Sequence, residues 1–307
     1  MTLFTKSRYY SVVVQANSTR KAQPTRTVTA DNVMTDHPSW QTHGDIRIRC
    51  IRDADSVWLI TCEPAQNGQT RVCYEALQGA GTPPEWTLFD CTQLGGATTM
   101  GHRLRAMKVV ARWRNTDLWD ALATSIIRQV IRAAHARRLY TAMCAAFGPH
   151  FDTKHGATAA FPDAHTVLAL TDTDLTELGL NFKRDVLRAA AQAYLAHGQH
   201  WATLPHSDLV EALTAVRRVG EWTARATVAD YSNDFALYPY GDLAVRTWAA
   251  AMDADTSWPA TDAAFAQAWK NMAQADLSAW TVSTLAFGAL HGRRAAPGAR
   301  TRTGAAR

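Results

Sequence analysis

Residues 213–246, LTAVRRVGEWTARATVADYSNDFALYPYGDLAVR, carry the most specific local signals of the chain. They predict a helix end, a tight turn at Val219-Gly220, and a second helix over about residues 221–230. A turn at Asn233-Asp234 and an aromatic loop follow, and Asp242 stands directly before a new helical pattern. The first N–H groups of a helix have no intrahelical partner and attract phosphate. The stretch therefore predicts an anion-binding hairpin, with a carboxylate about twenty residues further on at the same cleft.

This stretch resembles the helix-hairpin-helix and Gly/Pro...Asp motif of base-excision DNA glycosylases. Within that superfamily it is most similar to the bacterial 3-methyladenine glycosylase II branch. The hairpin is matched by Val219, Gly220, Trp222, Thr223 and Ala224, and the second half of the motif by Pro239, Gly241 and Asp242. The family's hairpin begins with Pro-Gly, where this chain has Arg217 and Arg218. Glycine suits a left-handed turn, so the substitution predicts strain that Arg218 offsets in part by contacting phosphate.

Two upstream segments extend the resemblance. ALATSIIRQVIRAAHARRLYTAMCAAFG, residues 121–148, resembles the first helix of the family core, with Gln129 and Phe147-Gly148 matched. FPDAHTVLALTDTDLTELGL, residues 161–180, resembles the segment that follows it. The resemblance covers roughly residues 115–291 and rests on the order and spacing of these motifs.

The resemblance implies a monofunctional DNA glycosylase that flips a damaged base, most simply an alkylated purine, out of double-stranded DNA. Asp242 is its implied catalytic carboxylate, since hydrolysis of a glycosidic bond passes through a cationic sugar that a carboxylate stabilises. Asp242 also fits a plain helix N-cap before LAVRTWAA, and one residue can have both roles. A DNA-binding helix-hairpin-helix protein without catalysis stays open as an alternative.

A bifunctional glycosylase/lyase is a further alternative, and the hairpin disfavours it. Such enzymes carry a Schiff-base lysine where this chain has Trp222. Only six lysines occur, at 6, 21, 108, 154, 183 and 270. In the 3-methyladenine branch a tryptophan at this position lines the base pocket; the alternative is that Trp222 anchors the hairpin in the core.

Further site residues follow from the resemblance. Gln129 matches a glutamine near the flipped base, and Val130 stands where the family often has a side chain that fills the gap in the duplex. Ser125 replaces the glutamate of the mismatch adenine glycosylases, which disfavours that subfamily. We expect the base pocket to include Trp222, Tyr238, Tyr240 and Gln129, and DNA to contact Val219, Gly220, Thr223, Arg218, Val130, Arg128 and Arg132.

Composition fits this assignment. The chain has 307 residues and a net charge of +5, but residues 292–307 hold five arginines and no acid, so the rest is neutral. Residues 99–138 contain nine Lys or Arg against two Asp, which is typical of a DNA-contacting face. The five cysteines show no metal-ligand spacing and none follows Cys144, so we expect no metal, no iron–sulfur cluster and no other cofactor. No apolar run approaches a membrane span, and we expect a cytoplasmic, nucleoid-associated monomer.

The predicted fold class is α+β. A small β-rich N-terminal domain, residues 1–98, has strands near 9–15, 45–52, 57–62, 71–75 and 86–91, with 17–43 mostly loop. An all-α helix-hairpin-helix glycosylase core, residues 99–291, has its first long helix at 118–147. Further helices are expected near 163–170, 172–178, 182–196, 208–217, 243–252, 261–273 and 277–290. A disordered basic tail, 292–307, completes the chain.

Overall fold

The computed structural model describes residues 26–28, 30–53, 55–66, 69–95 and 97–291, and these form an α+β fold. The strands are β1 Arg26–Val28, β2 Asn32–Val33, β3 Gln41–His43, β4 Ile46–Asp53, β5 Ser56–Pro64, β6 Thr70–Gln78, β7 Trp86–Asp90, β8 Val109–Trp113, β9 His150–Thr153 and β10 Gly156–Ala159. The helices are α1 Thr99–Ala106, α2 Leu118–Arg128, α3 Ala133–Phe147, α4 Ala164–Ala169, α5 Asp172–Glu177, α6 Arg184–Trp201, α7 His206–Thr214, α8 Glu221–Ser232, α9 Leu243–Met252, α10 Asp262–Ala273 and α11 Leu277–His291. Short 3₁₀ turns, Asn181–Lys183 and Gln274–Asp276, precede α6 and α11. The strand predicted at 9–15 and the tail 292–307 lie outside the described residues.

The larger sheet has the order β1-β6-β5-β4-β3, with each neighbouring pair antiparallel. Its middle strand β5 is buried along most of its length, because both faces of the sheet are covered. Trp58 and Ile60 pack towards Trp113, whereas Leu59 packs with Ala160 of the helical part. The strands predicted near 45–52, 57–62, 71–75 and 86–91 are thus confirmed. Residues 26–43, predicted as mostly loop, contain three short strands: β1 and β2 pair with the distant strands β6 and β8, and β3 forms a hairpin with β4.

The part predicted as all-α contains strands, which corrects that prediction. β8 pairs in parallel with β2 and antiparallel with β7, and β9 pairs with β10 in a hairpin. β8 is buried from Val110 to Trp113, so its backbone groups need partners that a sheet supplies. The β-rich part therefore extends past residue 98, while the division of the chain into domains stays a prediction.

Helix α8 is the centre of the helical part. Ala224 and Val228 pack in a cluster formed with α2, α3, α4, α6 and α7. Ala226 and Ala229 pack in a second cluster, with α1, α9, α10 and α11. A helix covered on both sides leaves little surface for solvent, here that of Glu221 and Arg225, which explains its small residues and the buried Thr227.

The long helix predicted over 118–147 is interrupted, which corrects that prediction. α2 ends at Arg128, Val130 adopts φ 60°, and α3 begins at Ala133. The Lys183 ammonium donates to the Gln129 carbonyl over 2.7 Å and so binds an oxygen that a continuous helix would use internally. The helices predicted further along the chain are present, with ends shifted by a few residues.

Within the described ranges, no helix combines the length and the apolar character that crossing a membrane requires. The same ranges contain no group of three or more His, Cys, Asp or Glu side chains arranged to hold a metal ion.

Candidate active site

Asp242 is the N-cap of α9, and it has three hydrogen-bond donors. Its Oδ2 accepts from the Ala244 N–H over 3.2 Å, as a capping carboxylate does. The Trp222 indole N–H donates to Oδ1 over 2.9 Å, and the Tyr238 hydroxyl donates to Oδ2 over 3.4 Å. Burial beside Asp242 raises the pKa of Tyr238, so the phenol is neutral and can donate. The carboxylate is half-buried and is fixed in one orientation by groups from α8, from the aromatic loop and from its own helix.

A cavity of about 390 Å³ has Tyr238 in its wall, while Asp242 itself is not among the lining residues. Tyr238 connects the two, because it lines the cavity and donates to Asp242. The walls also include Ala226 of α8 and Trp248 of α9, and the volume lies in the range of small-molecule pockets. The other lining residues are Thr35, Asp36, Arg112, Arg128, Ala133, Ala134, Arg137, Asp230, Phe235, Leu285, Gly288 and Ala289.

Gly288 has no side chain, and the Trp248 indole occupies the space next to it in the cavity wall. A Cβ at this position would lie 2.1 Å from the Trp248 indole nitrogen, far inside contact distance. Every larger residue at 288 would therefore displace Trp248. The position is one at which α11 shapes the cavity without contributing a functional group.

Buried charges form another part of the cavity wall. The Arg112 guanidinium, 1% exposed, pairs with Asp36 over 2.9 Å and with Asp230. It also donates to Asn233, the left-handed residue that ends α8. The Phe235 ring lies against the guanidinium, 4.8 Å from Cζ to centroid. Each ionic group thus has a partner, as burial of charge requires.

A second layer of buried polar groups lies behind these. The Asn115 side-chain amide donates to Oδ2 of Asp120 over 3.0 Å and to Oδ2 of Asp230 over 3.1 Å. Nε2 of His37 lies 3.5 Å from Oδ2 of Asp120. Burial and the nearby Asp117 raise the pKa of Asp120 to about 7. Burial and the Arg49 charge lower the pKa of His37 well below its ordinary value, so His37 is neutral.

The hairpin turn has the strain that its sequence predicts. Arg218 adopts φ 65°, a left-handed conformation in which glycine is at ease. Its guanidinium pairs with Asp185 of α6 over 3.0 Å at the surface. Gly220 begins α8 as an exposed N-cap without a side chain. Val219 is buried in the core, so only its backbone is available to DNA.

The segment that interrupts the predicted first helix lies next to the hairpin. The Gln129 side-chain amide donates to the Thr223 hydroxyl of α8 over 2.7 Å. Thr223 is buried, so its hydroxyl serves this bond rather than the solvent. Val130 is fully exposed at positive φ, which is rare for a β-branched residue. The Val130 side chain therefore projects into solvent from a strained, left-handed backbone.

Phe182 is a second exposed apolar residue near the hairpin, and its exposure was not predicted. Its ring is 88% exposed, an unusual state for phenylalanine. The next residue, Lys183, donates to the Gln129 carbonyl, so Phe182 and Val130 lie on loops that contact each other. The sequence shows only a phenylalanine after a Leu-Gly turn, and nothing in that pattern distinguishes an exposed ring from a buried one.

The other predicted residues are distributed as follows. Trp222 and Tyr238 meet at Asp242, and Arg128 lines the cavity. Of the four predicted pocket residues only Tyr238 lines the cavity; Trp222, Gln129 and Tyr240 are not among the lining residues, and Tyr240 is buried, with Lys270 over its ring. Arg132 is exposed at the start of α3. Of the nine basic residues in 99–138, four bind protein groups instead of facing solvent as free cations: Arg105, Lys108, Arg112 and Arg137.

No protein-family description and no curated protein matches this chain by sequence. By structure, it is similar to the 3-methyladenine DNA glycosylase of Archaeoglobus fulgidus, with 15% identity, TM-score 0.64, and 89% of this chain and 99% of that chain covered. It is equally similar to the Clostridium acetobutylicum 8-oxoguanine glycosylase/lyase bound to double-stranded DNA, with 12% identity, TM-score 0.65, and 90% and 99% covered. The likeness spans nearly the whole of both neighbours and does not favour one branch. At these identities it establishes the fold, and this chain has the fold of the helix-hairpin-helix DNA glycosylases.

Proposed function

We propose that this chain is a monofunctional DNA glycosylase of base excision repair. The observation that carries the proposal is the placement of Asp242, whose carboxylate is held by Trp222 and by Tyr238, and Tyr238 also lines a cavity of about 390 Å³. In the proposed complex, a base flipped into that cavity has its glycosidic bond on the Tyr238 side, towards the fixed negative charge of Asp242. Such a charge stabilises the cationic sugar formed as the bond breaks, and it can orient the attacking water.

The exposed side chains beside the hairpin support the first step of the reaction. Extruding a base costs a few kcal/mol of unstacking, and an apolar side chain that enters the gap offsets part of this. Val130 and Phe182 are exposed on adjoining loops. In the proposed complex they occupy the stack while Gly220 and the first N–H groups of α8 bind a phosphate. Arg128 and Arg132 add positive charge along the same face.

Within the cavity, Tyr238, Phe235 and Trp248 provide aromatic surface for a base. Alkylation makes a purine cationic, which favours both stacking on aromatic rings and departure of the base. Alkylated purines such as 3-methyladenine and 7-methylguanine are therefore the proposed substrates. The proposed enzyme acts as a monomer on duplex DNA, in the bacterial cytoplasm where the nucleoid lies.

The test of this proposal is the identification of released bases. Purified protein is incubated with methylated genomic DNA, and the freed bases are measured by mass spectrometry. Release of 3-methyladenine or 7-methylguanine is the expected result. If the protein binds the DNA and releases no base, alkylated purines are not its substrates, and the two alternatives are a glycosylase for a narrower class of lesion and a DNA-binding helix-hairpin-helix protein without catalysis.

A second assay tests the monofunctional part. Trp222 stands where a lyase carries its lysine, and the Lys183 ammonium is held 2.7 Å from the Gln129 carbonyl oxygen at the break between α2 and α3. Borohydride reduction with DNA that contains an abasic site should give no covalent adduct. An adduct that disappears in Lys183→Ala would show a lyase step and replace the monofunctional assignment.

A further inference from the structure

Asp36 is an unexpected residue to find in the wall of the proposed base pocket. It lies in the loop between β2 and β3, far in sequence from the hairpin, and its side chain is 17% exposed. One carboxylate oxygen, Oδ2, accepts from Arg112 over 2.9 Å. The other, Oδ1, has no hydrogen-bond partner among the described residues.

The carboxylate cannot relieve this deficiency by turning. Arg112 is itself fixed by Asp230 and Asn233, and it holds Asp36 through Oδ2. Burial is the largest influence and raises the pKa of Asp36, but the charge and hydrogen bond of Arg112 together with the charge of Arg128 lower it below its ordinary value, so the group is ionised at neutral pH. An ionised carboxylate can only accept hydrogen bonds. A mostly buried acceptor left without a donor is costly, which indicates that a ligand supplies the donor.

We infer that Asp36 selects the base, accepting a hydrogen bond from an N–H group on the edge of the flipped purine. The inference rests on the proposed function and names the substrate class for that site. The amino group of 3-methyladenine and the ring N–H of 7-methylguanine or hypoxanthine provide such a donor. The bridge of 1,N6-ethenoadenine removes both candidate hydrogens, so this purine leaves the carboxylate without a donor.

The surroundings fit a recognition role rather than a catalytic one. Asp242 lies at the α9 end of the site and takes its donors from Trp222 and Tyr238, whereas Asp36 is bound to Arg112 on β8. Two carboxylates from different parts of the chain thus have separate functions: Asp242 acts at the sugar, and Asp36 contacts the base.

The test compares wild type with Asp36→Asn in single-turnover assays on duplexes of one sequence that contain 3-methyladenine, 7-methylguanine, hypoxanthine or ethenoadenine. The side-chain oxygen of the introduced asparagine can still accept from Arg112, which leaves its NH₂ group where Oδ1 was. This NH₂ group then faces the N–H group of the base, and two donors cannot bond to each other. Release of the N–H purines should fall about 10- to 100-fold. Any release of ethenoadenine should be slow in wild type and should not fall in the variant.

Two controls separate base recognition from loss of structure. Binding to a duplex with a tetrahydrofuran abasic analogue, which puts no base in the pocket, should be unchanged in Asp36→Asn. Asp31→Asn removes a surface carboxylate that pairs with Lys108 over 3.3 Å outside the cavity, and it should leave every release rate unchanged.

The outcomes distinguish the two proposals. Equal release of N–H purines by wild type and Asp36→Asn overturns the inference and leaves the glycosylase proposal standing. Faster release of ethenoadenine than of N–H purines by wild type also overturns it. If wild type releases no purine from any duplex, the proposed function fails and the inference fails with it.

Discussion

Val130 combines two unfavourable properties, full exposure of an apolar side chain and a left-handed backbone. Strained φ values cost about 1–3 kcal/mol and persist where the surroundings enforce them. Here the enforcing contacts are those of Gln129 with Thr223 and with Lys183. The proposed insertion into DNA accounts for a residue that folding alone would not favour.

Two substitutions at Val130 separate strain from insertion. Val130→Ala and Val130→Gly both remove the inserted side chain, so both should slow base release about tenfold or more. Only glycine relieves the left-handed strain, so the free energy of unfolding of Val130→Gly should exceed that of Val130→Ala by about 1 kcal/mol. Urea denaturation and single-turnover release measure the two effects. Wild-type release by both variants would remove Val130 from the mechanism.

Trp222 positions Asp242 through one hydrogen bond of 2.9 Å. Trp222→Phe keeps an aromatic ring but deletes the donor, so base release should slow about tenfold, the scale of one hydrogen bond to a charged group. Trp258→Phe is the matched control, because it deletes an indole bond to the Asp253 carbonyl away from the site. The control should release bases as wild type does. Equal effects of the two substitutions would contradict a positioning role.

At the scale of elements, the hairpin was predicted because its helix ends are marked by local sequence. Features that depend on contacts between distant residues were not predicted. Gly220, Asn233 and Asp242 each mark a helix end by their own chemistry, and the structure has helix ends at all three. The break at Gln129–Val130 was missed because apolar periodicity continues through it, while its cause, Lys183, is 54 positions away. β8 was missed for the same reason, since its partners β2 and β7 fix it.

The polar layer behind the cavity gives a prediction about pH. Burial and Asp117 raise the pKa of Asp120 to about 7, above that of an unfolded aspartate. The folded protein therefore binds more protons than the unfolded chain between about pH 4 and 7, and its stability falls as pH rises through that window. Stability contributed by protonated Asp120 is complete below about pH 4 and lost above about pH 7.

Asp120→Asn tests this directly. The amide can still accept from Asn115, and it cannot ionise. The difference in unfolding free energy, variant minus wild type, should rise by at least about 1 kcal/mol between pH 5 and pH 8 in urea titrations. The lowered pKa of His37 makes the unfolding free energy rise with pH, opposite to the effect of Asp120. His37 is present in both proteins, so this contribution cancels in the difference. A difference independent of pH would contradict the raised pKa.

At the scale of the whole molecule, the β-rich part supplies one side of the proposed pocket. Thr35 and Asp36 line the cavity from the loop after β2, and Arg112 reaches it from β8. The Asp36–Arg112 contact joins positions 76 apart, which no local pattern could reveal. Asp242 and its aromatic neighbours were predictable because they lie in one sequence motif. The side of the cavity formed by Asp36 and Arg112 was not predictable.

The basic segment 292–307 contributes charge to the molecule as a whole. Its five arginines should add non-specific DNA affinity through release of counterions. A protein ending at residue 291 should bind undamaged duplex more weakly, and the slope of log affinity against log salt should decrease in magnitude by about 1 to 4. Fluorescence anisotropy over a salt series measures this. An unchanged slope would show that the segment does not contact DNA.

The most direct test of the central claim is single-turnover base release by wild type and Asp242→Asn on methylated DNA. Asparagine is as good an N-cap as aspartate, so thermal stability and binding to abasic-analogue DNA should be unchanged. Loss of the negative charge should slow release about 100-fold or more. Equal release by the two proteins, with folding and DNA binding intact, would show that Asp242 only caps α9 and that the site does not cleave glycosidic bonds in the proposed way.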